Sequence, residues 1–201
     1  MMRKVAIAVL AVAVVFGMSM GVMAGNEATI EQDVVDNSVA YIHQTGSNLE
    51  GTIIQGYAGE WGITQEGEGH TADILSTGYT GWNNPAVDSF VDQEGEDHTA
   101  VIDWANSHFT GGYSIVKVEQ EGTNQYADVR VDNPDPDVEI YVDQLDEDNV
   151  ANVDVHGTKD HFVDIVQDGY DNSALVSQRV TGEAEISQIG DENKAEIIQT
   201  D

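Results

Sequence analysis

Apolar residues alternate with polar ones in short runs along this chain, and many of the runs close on a glutamine. Val163, Ile165 and Gln167 fall two residues apart, as do Ile140, Val142 and Gln144, Val116, Val118 and Gln120, and Trp61, Ile63 and Gln65. A two-residue period puts each set on one face of a β-strand. Beyond the glutamine the alternation resumes, so that Asn172, Ala174, Val176 and Gln178 again share a face. Between the two runs stand "DGYD", "EGED" or "IGDE", glycine among acidic residues, the composition of a tight bend. The pattern predicts strand, bend, strand.

This unit recurs. It reads "QTGSNLEGTIIQ" from Gln44, "QEGEGHTADILS" from Gln65, "QEGEDHTAVIDW" from Gln93, "QEGTNQYADVRV" from Gln120, "QLDEDNVANVDV" from Gln144, "QDGYDNSALVSQ" from Gln167 and "QIGDENKAEIIQ" from Gln188. The starting glutamines are 21 to 28 residues apart, so residues 44–201 hold seven repeats with joints of variable length. Residues 25–43 form an N-terminal segment with a degenerate eighth copy, predicted to start at Gln32 with Asn37 at the right offset.

Two short strands joined by a bend can pair as a hairpin or face one another as an arch. In an arch the glutamine closing the first strand and the asparagine opening the second both point inward, which is unfavourable unless their amides find partners. Stacking identical units about 4.7–4.8 Å apart places each amide on its copy in the next rung and joins the amides into ladders. The prediction is an all-β, two-sided β-solenoid of cross-β character, about 33 Å tall for seven rungs, filled by Ala, Ile and Val.

The first residues, "MMRKVAIAVLAVAVVFGMSMGVMAGNE", show a short basic start, an apolar run and small residues leading to Ala24. That is the layout of a Sec-type signal peptide over 1–24, with a retained membrane anchor as the alternative. Against 37 Asp and Glu stand 7 Lys and Arg, a formal charge of −30. Nucleic acid and anionic membranes are therefore poor partners, and cations better ones. With no cysteine there is no disulfide framework, thiolate nucleophile or cysteine metal site.

The spacing Gln, Gly at +2, Asn at +5, Ala at +7, Ile or Val at +9 and Gln at +11 resembles the curlin repeat over nearly the whole exported chain. The last unit matches at every position, with Gln188, Gly190, Asn193, Ala195, Ile197 and Gln199. The resemblance implies a bacterial subunit, exported through the outer-membrane curli secretion pore, that polymerises with itself into extracellular amyloid fibres for biofilm matrix and adhesion. A nucleator or major-subunit homologue would be its other partner. Which of those two roles this chain fills stays open, because "GNEATIEQDVVDN" stands where the major subunit has a Gly-rich segment. The residues implied in the ladders are Gln44, Gln65, Gln93, Gln120, Gln144, Asn149, Gln167, Asn172, Gln178, Gln188, Asn193 and Gln199.

Some units depart from the repeat, and these departures predict gaps in the ladders. His70 and His98 replace Asn; Leu49 and Gln125 hold that place where the Asn comes one residue early, at Asn48 and Asn124; Asp146 replaces Gly; Trp104, Val131 and Val155 replace the final Gln. His70 and His98 are predicted neighbours that a metal ion could bridge, with simple substitution within a ladder as the plainer account. The acidic run Asp132–Asn149 suits diffuse calcium binding but lacks an EF-hand or β-roll pattern. Trp61 and Trp104 fall at inward positions, whereas Tyr79 and Trp82 lie in the long joint Thr77–Asp88 and Phe109 in another joint, where sugar stacking is conceivable. No P-loop, nucleophile elbow or HExxH motif occurs, and carboxylate pairs are too common to mark general acid–base chemistry. No cofactor and no enzyme are expected. The alternatives carried forward are a soluble monomeric acidic β-solenoid adhesin for cations, ice or polysaccharide, and a polysaccharide-cleaving β-helix enzyme, which the modest joints disfavour.

Overall fold

The computed structural model describes residues 10–16, 26–32, 38–55, 59–76, 88–104, 113–132, 137–157, 160–179 and 182–200. Its strands come in eight consecutive pairs. The first four pairs are β1 (Leu10–Phe16) with β2 (Asn26–Gln32), β3 (Ser38–Thr45) with β4 (Leu49–Gln55), β5 (Gly59–Gln65) with β6 (His70–Ser76), and β7 (Asp88–Asp92) with β8 (Ala100–Trp104). The rest are β9 (Tyr113–Glu119) with β10 (Ala127–Asp132), β11 (Asp137–Val142) with β12 (Ala151–His156), β13 (His161–Ile165) with β14 (Leu175–Gln178), and β15 (Gly182–Ile186) with β16 (Glu196–Gln199). Tyr79, Trp82, Phe109 and part of the run 132–149 lie outside the described residues.

Odd-numbered strands hydrogen-bond only to odd ones, and even to even, giving two eight-stranded parallel sheets. The members of a unit thus face each other through side chains, as an arch. This is the expected two-sided β-solenoid. The register keeps like on like: Ala28, Gly51, Ala72, Ala100, Ala127 and Ala151 form one interior column. Ile42, Ile63, Val91, Val118, Val142 and Ile165 form another. Nearly every member is buried, and together they make one continuous core. Trp61 and Trp104 belong to it with no exposed surface, their rings 6.1 Å apart edge to face. The small Ser89 makes room for Trp104 and accepts its indole N–H at 3.1 Å, so the ring that replaces a final glutamine keeps a polar partner.

Two expectations need correction. Gln32 does not open a unit; it aligns with Gln55, and Asn26, Ala28 and Ile30 align with Leu49, Gly51 and Ile53. "NEATIEQ" is therefore the second half of a rung, and its first strand, β1, comes from the predicted leader and pairs with β3. The second correction concerns the later bends. In the first two units the repeat glycines themselves take positive φ, Gly46 at 136° and Gly67 at 140°, as expected; from the third unit on, left-handed backbone falls one residue further, at Glu96, Thr123, Glu147, Tyr170 and Asp191, with φ between 47° and 114°. Gly95, Gly122 and Gly169 instead lie in a column of backbone bridges with Asp146. In these later bends the position needs no positive φ, so Asp146 is tolerated there.

Candidate functional site

Strand alternation turns every unit-opening glutamine inward, and parallel register puts them in one column. Gln44 donates through Nε2 to Gln65 Oε1 at 3.2 Å, Gln65 to Gln93 at 2.8 Å and Gln93 to Gln120 at 2.7 Å. Gln120 donates to Gln144, Gln144 to Gln167 and Gln167 to Gln188, each at 2.6 Å. The second N–H of these amides reaches across the bend. Gln65 donates to Thr71 O at 3.1 Å, Gln120 to Tyr126 O at 2.9 Å and Gln144 to Val150 O at 2.8 Å. One side chain therefore closes its own arch and ties it to the next rung. The backbone carbonyls also fix which way the amides point. At Gln167 the opposite orientation would bring its oxygen to Ser173 N at 3.0 Å, but would set its nitrogen against Gln144 Nε2 at 2.6 Å and break the ladder bond.

A second column runs the other way. Asn193 donates to Asn172, Asn172 to Asn149 at 2.5 Å and Asn149 to Gln125 Oε1 at 2.6 Å. Gln125, which holds the +5 place, thus joins the ladder, while Asn124, the early asparagine, bonds Asp148 at 3.0 Å on the surface. Asn48, the other early asparagine, takes a left-handed bend position with φ 52°. The column ends at Gln125, whose Nε2 is buried without an acceptor. In the final-glutamine column Gln199 donates to Gln178 at 2.8 Å, and Val155, Val131 and Trp104 follow Gln178 in the same register column, where no amide stands. All twelve residues singled out from the sequence thus lie in these three columns. Gln125, Gln55 and Asn26 were missed; the Asn-x-Ala-x-Ile-x-Gln spacing from Asn26 was the signal for the last.

His70 and His98 stack with centroids 5.1 Å apart and planes 7° from parallel. Nitrogen lone pairs lie in the ring plane, so two parallel stacked rings cannot converge on one ion. Burial holds both pKa values down to about 4, and for His98 the His70 ring adds to the effect. The pair is a neutral plug that interrupts the amide column. Among the described residues no three His, Asp or Glu side chains gather as metal ligands.

Outside, carboxylates stand near carboxylates. Asp73, Asp92, Asp128 and Asp143 all have raised pKa values, first from partial burial and then from neighbours such as Glu50 beside Asp73 and Glu119 beside Asp92 and Asp143. Stacking therefore works against the charge.

The two ends differ. In the last rung the core positions lose their cover: Ala184 and Ile186 are half-buried, and Ile197 is 44% exposed, whereas Val176 directly beneath it in the same column is fully buried. At the other end Gln44 Oε1 is buried with no donor, and Val15 stands at its register position, so no amide can continue the ladder there. No protein-family model, curated protein or solved structure matches the chain.

Proposed function

We propose that the chain is an exported structural subunit that joins copies of itself end to end into a curli-like extracellular fibre. The observation that carries this reading is the uncovered last rung. β15 and β16 present inward-type residues, Ile197, Gln188, Asn193 and Gln199, with no strand among the described residues stacked beyond them, although the same columns are sealed one rung below. An unpaired strand edge with matching core and amide columns is a template for another rung.

Removal of the leader after Ala24 would take β1 with it and make β3 the edge of its sheet, which would uncover Gln44 Oε1 as a free acceptor. The glutamine ladder donates toward the C-terminal end, so a copy that docks there with its β2 released from β4 offers that acceptor to the amide of Gln188. Subunits then add head to tail. The curlin resemblance adds the secretion pore and a nucleator or major-subunit homologue as partners, and biofilm matrix and adhesion as the role. The subunit does no chemistry in this account.

Incubating the exported form and following thioflavin fluorescence with sedimentation tests the proposal. Sigmoidal growth that preformed fibres accelerate is the expected result. A protein that stays monomeric through prolonged incubation, with or without seeds, would overturn it in favour of the soluble adhesin.

A further inference from the structure

The two outer faces of the solenoid differ in kind. Outward positions of the odd-numbered strands carry Tyr41, Phe90, Tyr113, Tyr141 and Phe162, whereas those of the even-numbered strands carry no Phe, Tyr or Trp. Tyr41, Gly62, Phe90, Lys117 and Tyr141 follow one another in a single register column. A Cβ on Gly62 would come within 2.3 Å of the Phe90 ring and 2.9 Å of the Tyr41 ring, so the two rings meet over bare backbone. Further along, Tyr141 and Phe162 lie 5.9 Å apart between centroids. From β3 to β13 the stripe spans five rung spacings, about 24 Å.

The rings at its far end are pinned. Tyr141 donates to Glu139 at 2.5 Å, and Tyr113 hydrogen-bonds the same carboxylate. That shared anchor pushes Tyr113 up to about 12 and draws Glu139 down. Beside them opens a cleft of about 480 Å³, lined by Tyr113, Glu139, Asp160, His161, Phe162 and Glu183. The strands of this face stack in parallel register, and carboxylates such as Asp88, Asp92, Asp143 and Asp164 stand around the rings. Lys117 is neutralised by Glu119 at 2.5 Å.

We propose that this face is a docking platform for a neutral, extended polysaccharide of flat β-linked pyranose units. Pre-set aromatic rings take the C–H faces of sugars, and surrounding carboxylates accept their hydroxyl protons. An anionic chain is repelled, and so is a second acidic copy approaching face to face. The platform exists in the single chain, so it stands or falls separately from fibre growth.

The test is depletion of the purified protein from solution by microcrystalline cellulose, with coiled α-glucan, anionic alginate and cationic chitosan as comparators. Saturable binding to cellulose that persists in high salt is expected. Phe90→Ala with Tyr141→Ala should weaken it about tenfold or more, the loss of two ring contacts. Ile54→Ala with Leu75→Ala, on the other face, should leave it unchanged; far-UV circular dichroism checks that each variant is folded. As a second readout, soluble hydroxyethyl cellulose should perturb tyrosine fluorescence of the unaltered protein. Equal losses from both double variants, or binding confined to chitosan and abolished by salt, would overturn the proposal. So would a face that captures only other copies of the chain.

Discussion

Replacing Gln120 by alanine in the middle of the ladder should be far more damaging than the same change at Gln188. Gln120 accepts from Gln93 at 2.7 Å and donates to Gln144 at 2.6 Å and Tyr126 O at 2.9 Å. Tyr126 O keeps a second donor, Ala100 N, at 3.1 Å. Gln93 Nε2 and Gln144 Oε1 have no such reserve, and both side chains are buried. Each stranded group costs about 1–3 kcal/mol, and the small cavity adds to it, so the expected loss is roughly 3–6 kcal/mol. Gln188 strands only Gln167 Nε2, beside a rung that water reaches, and the loss there is about 1 kcal/mol or less. Guanidinium unfolding of dilute monomer, read by far-UV circular dichroism, measures both. A Gln120→Ala protein within 1 kcal/mol of the parent, or one no weaker than Gln188→Ala, would refute the view that the ladder holds the rungs together.

Acid should weaken the monomer before it helps it. His70 and His98 have folded pKa values of about 4 against an ordinary 6.5, so the unfolded chain takes up protons first; stability falls as pH drops through 6.5, and the loss is complete below about 4. The raised carboxylates act with the opposite sign at lower pH, since the folded state binds their protons more readily. The denaturant midpoint is therefore expected to be lower at pH 5 than at pH 7, and His70→Asn with His98→Asn should remove most of that slope while giving Gln125 Nε2 an acceptor; an unchanged slope counts against the pair. Gln188→Ala with Asn193→Ala should lengthen the assembly lag with little change in monomer stability, and an unaltered lag would argue against growth from the C-terminal rung. Added salt should speed assembly by screening the stacked carboxylates, and calcium that does no better than sodium at matched ionic strength would leave screening alone as the cause.

The architecture was legible because burying an amide demands partners, and stacking gives each of the seven glutamines from Gln44 to Gln188 a matching amide in a neighbouring rung. Their alternation with Val, Ile and Trp fixed the face each one takes. The half-rung at Asn26–Gln32 was misread because units were traced from an opening glutamine, which that rung lacks. Gln125 was set aside because an asparagine precedes it, yet it holds the ladder position and its amide oxygen serves Asn149 as an asparagine's would. The direction of the ladder depends on carbonyls across each bend, at Thr71, Tyr126 and Val150, which no spacing rule reveals. The aromatic face was hidden for a related reason. Tyr41, Phe90 and Tyr141 are far apart in sequence, and only joints of unequal length bring them into one column.

X-ray diffraction from aligned specimens of the incubated protein tests the central claim most directly. If subunits add rung upon rung, the meridian, parallel to the fibre axis, carries a sharp reflection near 4.7–4.8 Å and the equator a sheet-packing reflection near 10 Å. Filaments whose strands lie along the axis, or a specimen that yields no ordered fibre at all, would contradict end-to-end assembly of this solenoid.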